Sequence, residues 1–156
     1  MGYSRILIAI ILALTTCVAA RADNDVDLRA LIVTRDHAFL AGDIERVLTD
    51  EEVRPIVGKV RGYLIFHGFQ IGPEDPRALI VDLRDGNQAE VAYGLVLIGA
   101  RQPEACRGRL IAHEATHFFL SRDYGRSPKD PEVQALANAM ERLVVPDYLP
   151  NCGDRS

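Results

Sequence analysis

Apolar and polar positions fall into two distinct rhythms along most of this chain. Val53, Ile56, Val57, Val60 and Leu64 keep helical spacing behind Thr49-Asp50-Glu51-Glu52, a capping box that satisfies backbone donors at a helix start. Pro55 would bend the second turn of a helix that began at Thr49 itself. Gly68, after His67, is a natural stop, and residues 70–76, with Gly72, Pro73 and Pro76, read as loop. Ala78-Leu79-Ile80-Val81-Asp82-Leu83 predicts a strand, and Arg84-Asp85-Gly86-Asn87 a turn. A second strand is expected from about Glu90 to Ile98, where Val91, Tyr93, Leu95 and Leu97 alternate with Ala92, Gly94, Val96 and Ile98. Both of its faces are apolar or small, so it should be covered on both sides. A helix then runs from about Arg107 to Ser121, followed by a polar loop with Gly125 and Pro128. The last helix is predicted from Pro131 to about Val145. Asp130 is its N-cap, and its stripe is Val133, Leu136, Ala137, Met140, Leu143 and Val144. Helix, strands, helix, helix is an α+β order: a capping helix, a short antiparallel or mixed sheet, and two further helices, with no sign of a parallel doubly wound sheet. Residues 23–48 stay open, because Leu31-Ile32-Val33 fits a short strand or part of a helix equally well.

The N-terminus follows a different pattern. Arg5 precedes the apolar run Ile6–Leu14, and Thr15, Thr16, Cys17 and Val18-Ala19-Ala20 come next. A basic start, a short apolar centre and small residues at the end define a signal peptide, residues 1–22, cut after Ala20 or after Ala22. As a membrane anchor, Ile6 to Ala20 would span only about 22 Å at ~1.5 Å per residue, short of a hydrocarbon core of ~30 Å. Lipidation at Cys17 ranks below cleavage, since Thr16 stands where a lipobox carries Gly, Ala or Ser. Residues 23–156 then form a single exported domain.

Composition agrees and narrows the function. The 156 residues suit one domain, and 26% charged residues with 48% hydrophobic ones exclude a disordered chain or a polytopic membrane protein. A net charge of -4 removes the basic field that nucleic-acid binding needs, and loss of Arg5 and Arg21 with the leader makes the mature chain more acidic still. Cleavage also removes Cys17 and leaves Cys106 and Cys152, which in an oxidising compartment most simply pair with each other; otherwise they are two unrelated buried thiols.

Candidate chemistry lies in His113-Glu114-Ala115-Thr116-His117, an H-E-x-x-H sequence. On a helix the two histidines share a face and can reach one ion, while Glu114 approaches a metal-bound water from the side. Zinc lowers the pKa of such a water to about 7, and a carboxylate takes its proton as it attacks a carbonyl. The competing explanation is two surface histidines with an incidental Glu between them. Against it, Ile111, Ala115, Phe118 and Phe119 lie on one side of the helix and both histidines nearly opposite, where a plain core helix would carry Leu or Val.

From Ala89 to about Val145 the chain resembles the zincin metallopeptidases, in which a strand along the substrate cleft precedes the motif helix. The resemblance implies a minimal, gluzincin-like zincin domain with Zn2+ on His113 and His117 and Glu114 as general base. For a third ligand it points to Glu132, because Glu132-Val133-Gln134-Ala135-Leu136-Ala137 loosely fits the Glu-x-x-Ala-x-Ala of gluzincins. Asp123 is the rival. It occupies the last position of the metzincin pattern, but Leu120 replaces the Gly that turns that chain away from its helix. Asp130 is a weaker third candidate, already explained as an N-cap. Tyr124 is a candidate oxyanion partner; as a structural residue it is a loop aromatic. His67 suits a helix C-terminus, His37 has no evident partner, and Asp82 and Asp85 flank a turn. The expected function is a zinc-dependent hydrolase, a peptidase acting on a peptide or protein substrate, with no nucleic acid and no stable membrane span after signal cleavage. The alternative is a periplasmic binding or accessory protein that keeps the scaffold without cleaving.

Overall fold

Glu52 turns back and accepts the Thr49 backbone N–H at 2.9 Å, closing the capping box that begins helix α1, Asp50–Phe66. That N–H is the main reason the Glu52 carboxyl is held below its ordinary value; an ion pair with Arg46 adds to it. The computed structural model describes residues 40–83, 88–92 and 94–144 together with Cys152, all within the unit Phe39–Ser156. The predicted signal peptide with Cys17, the Leu31–Val33 segment, His37 and the turn at residues 84–87 with Asp85 lie outside the described residues. Val53, Val57, Val60 and Leu64 form the buried face of α1, as their spacing predicts. Pro55 falls on the exposed face and the helix runs through it. At the far end, Gly68 follows the last turn and the Phe69 N–H returns to the Leu64 carbonyl at 3.0 Å.

The sheet is mixed and four-stranded, in the order β1-β2-β4-β3. Strand β1, Leu40–Val47, falls in the stretch the pattern left open and pairs antiparallel with β2, Arg77–Leu83. The single strand expected from Glu90 to Ile98 is in fact two: β3, Ala89–Ala92, and β4, Leu95–Gly99. Gly94, at φ 77°, reverses the chain between them, a conformation L-residues seldom adopt. The same alternation continues on both sides of Gly94, so periodicity alone could not reveal the hairpin. Within the sheet β4 runs parallel to β2, with Ile80 opposite Ile98, and β3 pairs antiparallel with β4, with Val91 opposite Val96. Every residue of β4 is buried, as a central strand requires, whereas β3 is half-buried at the sheet's edge.

Helix α2, Glu104–Tyr124, starts one turn earlier than expected and continues one turn longer, to Gly125 at φ 62°. All eleven positions from Leu110 to Leu120 are buried. One side of α2 meets α1 and the sheet, where Ile111, Ala115, Phe118 and Phe119 join Val57, Leu64, Ile80 and Ile98 in the core. Against α2 packs α3, Pro131–Val144, capped by Asp130, whose Oδ1 accepts the Glu132 N–H at 2.9 Å. Its buried stripe is narrower than predicted: Val133, Ala137, Met140 and Val144 are inside, Leu136 is half-buried and Leu143 is exposed. A disulfide joins Cys106, near the start of α2, to Cys152, beyond α3. Three helices and an open mixed sheet make an α+β domain, and among the described residues no helix is long and apolar enough to cross a membrane.

Candidate metal centre

The second face of α2 carries Arg109, His113 and His117 one turn apart, and α3 covers it. His113 is 0% exposed, Glu114 4% and His117 3%. Beside them, buried Thr116 satisfies its hydroxyl by donating to the Ala112 carbonyl at 2.9 Å. His113 Nε2 and His117 Nε2 stand 3.0 Å apart, with their rings inclined at 64°. Two nitrogens bound to one tetrahedral zinc at ~2.0–2.1 Å would stand about 3.3 Å apart, so the paired imidazoles fit the histidine half of a zinc site. Neutral imidazoles at this separation share one hydrogen between their Nε2 atoms.

The other predicted candidates are placed elsewhere. The Glu132 side chain is 84% exposed and accepts from Arg126 Nη2 at 2.8 Å. Arg126 also holds Asp130 at 2.6 Å, and these contacts keep the Asp130 carboxyl below its ordinary value. Because α2 extends through residue 124, Asp123 remains helical and turns to the loop after α1 instead. It accepts from its neighbour Arg122 at 2.6 and 2.7 Å and from the Gly72 N–H at 3.0 Å. Tyr124 is bound into the same loop, its oxygen accepting the Gln70 N–H while its ring meets Phe69. His67 caps the end of α1, and Asp82 pairs with Arg101 at 3.7 Å. Among the described residues no group of three or more His, Cys, Asp or Glu lies close enough to hold a metal, so this arrangement does not bring Glu132 or Asp123 to the histidines.

Asp123 is a structural clamp, and its energetics can be checked. The Arg122 guanidinium, then the Gly72 N–H, hold its carboxyl below the ordinary value of 3.8. A depressed folded-state value means the clamp contributes fully above the unfolded value and is lost as pH falls through the lower folded one. Asp123→Ala should therefore cost about 1–2 kcal/mol at neutral pH, and the gap from wild type should close in acid below the usual Asp range. Urea titrations at several pH values measure it, and an unchanged midpoint at neutral pH would contradict the clamp.

Two residues near the histidines carry no motif of their own, Glu141 and Arg109. Glu141, on α3, places Oε1 2.6 Å from His113 Nδ1, and its Oε2 lies 3.5 Å from Arg109. The oxygen is close but off the line of the ring N–H. A signal for Glu141 did exist: a carboxylate between Met140 and Val144, one turn after Ala137, interrupts the flank of the buried stripe. No protein-family model, curated protein or solved structure matches this chain.

Proposed function

We propose that this chain is a small exported zinc-dependent hydrolase that cleaves peptide bonds, built on a minimal zincin-like core. The carrying observation is the pair of buried imidazoles with Nε2 atoms 3.0 Å apart on the helix that also buries Glu114. On this reading His113 and His117 hold the ion through Nε2. When bound, zinc supplies a Lewis acid that polarises the scissile carbonyl and acidifies water. Glu114 takes the proton from the attacking water and delivers it to the departing amine. Neither Glu132 nor Asp123 is needed for those two roles. The resemblance puts the substrate along the strand before the motif helix; since β4 is interior, that role passes to β3, the edge strand, which packs against α2. Its backbone offers hydrogen bonds to an extended peptide. Export rests on the leader-like N-terminus and agrees with the Cys106–Cys152 bridge.

Burial of all three motif residues favours a second reading, a binding or accessory protein that holds the metal without admitting a peptide. Metal analysis and a cleavage assay on a mixture of unstructured peptides separate the two. The hydrolase is expected to carry about one zinc per chain, to lose cleavage on treatment with a chelator and to regain it with added zinc. His113→Ala and His117→Ala should each abolish metal binding. Stoichiometric zinc without cleavage moves the protein to the second reading, and zinc retained in the double histidine variant overturns both.

A further inference from the structure

We infer that Glu141 is a positioning residue for His113, itself held by Arg109, and that it acts from outside the ligand set. The inference rests on the metal reading above and adds a residue from another helix. Glu132 and Glu141 are the two carboxylates of α3, but they are about two and a half turns apart, ~180° around the helix axis. When Glu141 faces His113, Glu132 therefore faces away, as its exposure and its bond to Arg126 confirm. On the histidine side of α3 Glu141 has no second carboxylate beside it, because one turn back stand Ala137 and Asn138.

Each carboxylate oxygen of Glu141 faces a partner on α2. Oε1 meets His113 Nδ1, and Oε2 turns to Arg109, one helical turn before His113 on the same stripe of α2. Arg109 and Glu141 side chains are 14% and 15% exposed, so the pair is shielded from most solvent screening. A carboxylate accepts, so a hydrogen bond to Oε1 would place a hydrogen on His113 Nδ1, and in the neutral ring that leaves the Nε2 lone pair for the ion. The contact is with Nδ1, the ring nitrogen that would not bind the ion, which makes Glu141 an orienting group and not a third ligand. The hydrogen between the two Nε2 atoms then belongs to His117, so in the metal-free protein His113 and His117 carry opposite tautomers.

Three readouts test this. In the metal-free protein, nitrogen NMR of the histidine rings should show His113 as the Nδ1–H tautomer and His117 as the Nε2–H tautomer. Glu141→Ala should remove that preference at His113, whereas Glu141→Gln, which keeps an acceptor, should retain it in part. Zinc affinity by chelator competition should fall 10–100-fold in Glu141→Ala and less in Glu141→Gln. The visible spectrum of the cobalt-loaded protein should keep its intensity in both variants, since the ligand number is unchanged. An identical His113 tautomer in wild type and Glu141→Ala, or undiminished zinc affinity, overturns the inference. So does a cobalt spectrum that changes coordination in Glu141→Gln, which would make Glu141 a ligand. If wild type takes up no metal, the hydrolase reading fails, and the tautomer measurement still decides the role of Glu141. Should Glu141→Ala not fold, the spectra and zinc affinity of Glu141→Gln decide between the same outcomes.

Discussion

Glu114→Gln is expected to lower peptide cleavage by about 10²–10⁴-fold, the usual contribution of a positioned general base. Glutamine preserves the volume and polarity of a side chain that is only 4% exposed, so α2 should pack unchanged. It cannot accept a proton from water at neutral pH. His113 and His117, each a residue or more away on the helix, are untouched, so zinc content should stay that of wild type. The loss should fall on kcat, because the interaction removed exists only as the proton moves. Retained turnover with retained zinc would remove Glu114 from the mechanism. Loss of zinc together with turnover would instead make Glu114 part of what holds the ion.

Removing the Cys106–Cys152 bridge should cost roughly 3–4 kcal/mol in the loop-entropy model. The bridge spans 46 residues of sequence, and the loop it closes contains most of α2 and all of α3. Those helices carry the paired histidines and Glu141, whose contact depends on how one helix sits on the other. Cys106 is buried at 2% exposure, so a paired substitution to Ala, Cys106→Ala with Cys152→Ala, avoids leaving a polar group inside. Denaturant unfolding of that variant, or of wild type with and without reductant, gives the difference directly. A shift below about 1 kcal/mol would mean that packing between α2 and α3 already restricts the unfolded loop as much as the bridge does.

Elements whose signals are local could be read directly from the chain. Thr49 and Glu52 started α1, Gly68 ended it, Asp130 capped α3, and the run Ala78–Leu83 became a central strand. Each depends on contacts within a few residues, which a 3.6- or 2-residue period records. Likewise His113 and His117 meet because one turn of a helix separates them, and the cysteine pair followed from counting once the segment read as a leader was set aside. The α+β class was legible for the same reason.

Tertiary structure decided whatever depended on partners distant in sequence. Strand β1 owes its place to pairing with β2, and the β3–β4 hairpin turns at the positive φ of Gly94, which leaves the apolar alternation intact. Asp123 was the rival ligand, at the last position of a metzincin pattern that Leu120 already breaks; what tertiary structure adds is its destination, Arg122 and the Gly72 N–H, 51 residues away. Glu132 and Glu141 are equally acidic and sit on one helix. Which of them faces His113 is set by the rotation of α3, and that rotation follows from burying Val133, Ala137, Met140 and Val144 together. Sequence by itself therefore determined which side chains one helix can align, the His113–His117 pair with Glu114 between them. Their orienting carboxylate was chosen by the packing of α3 on α2, because a helical period states which residues share a face but not which neighbour that face will meet.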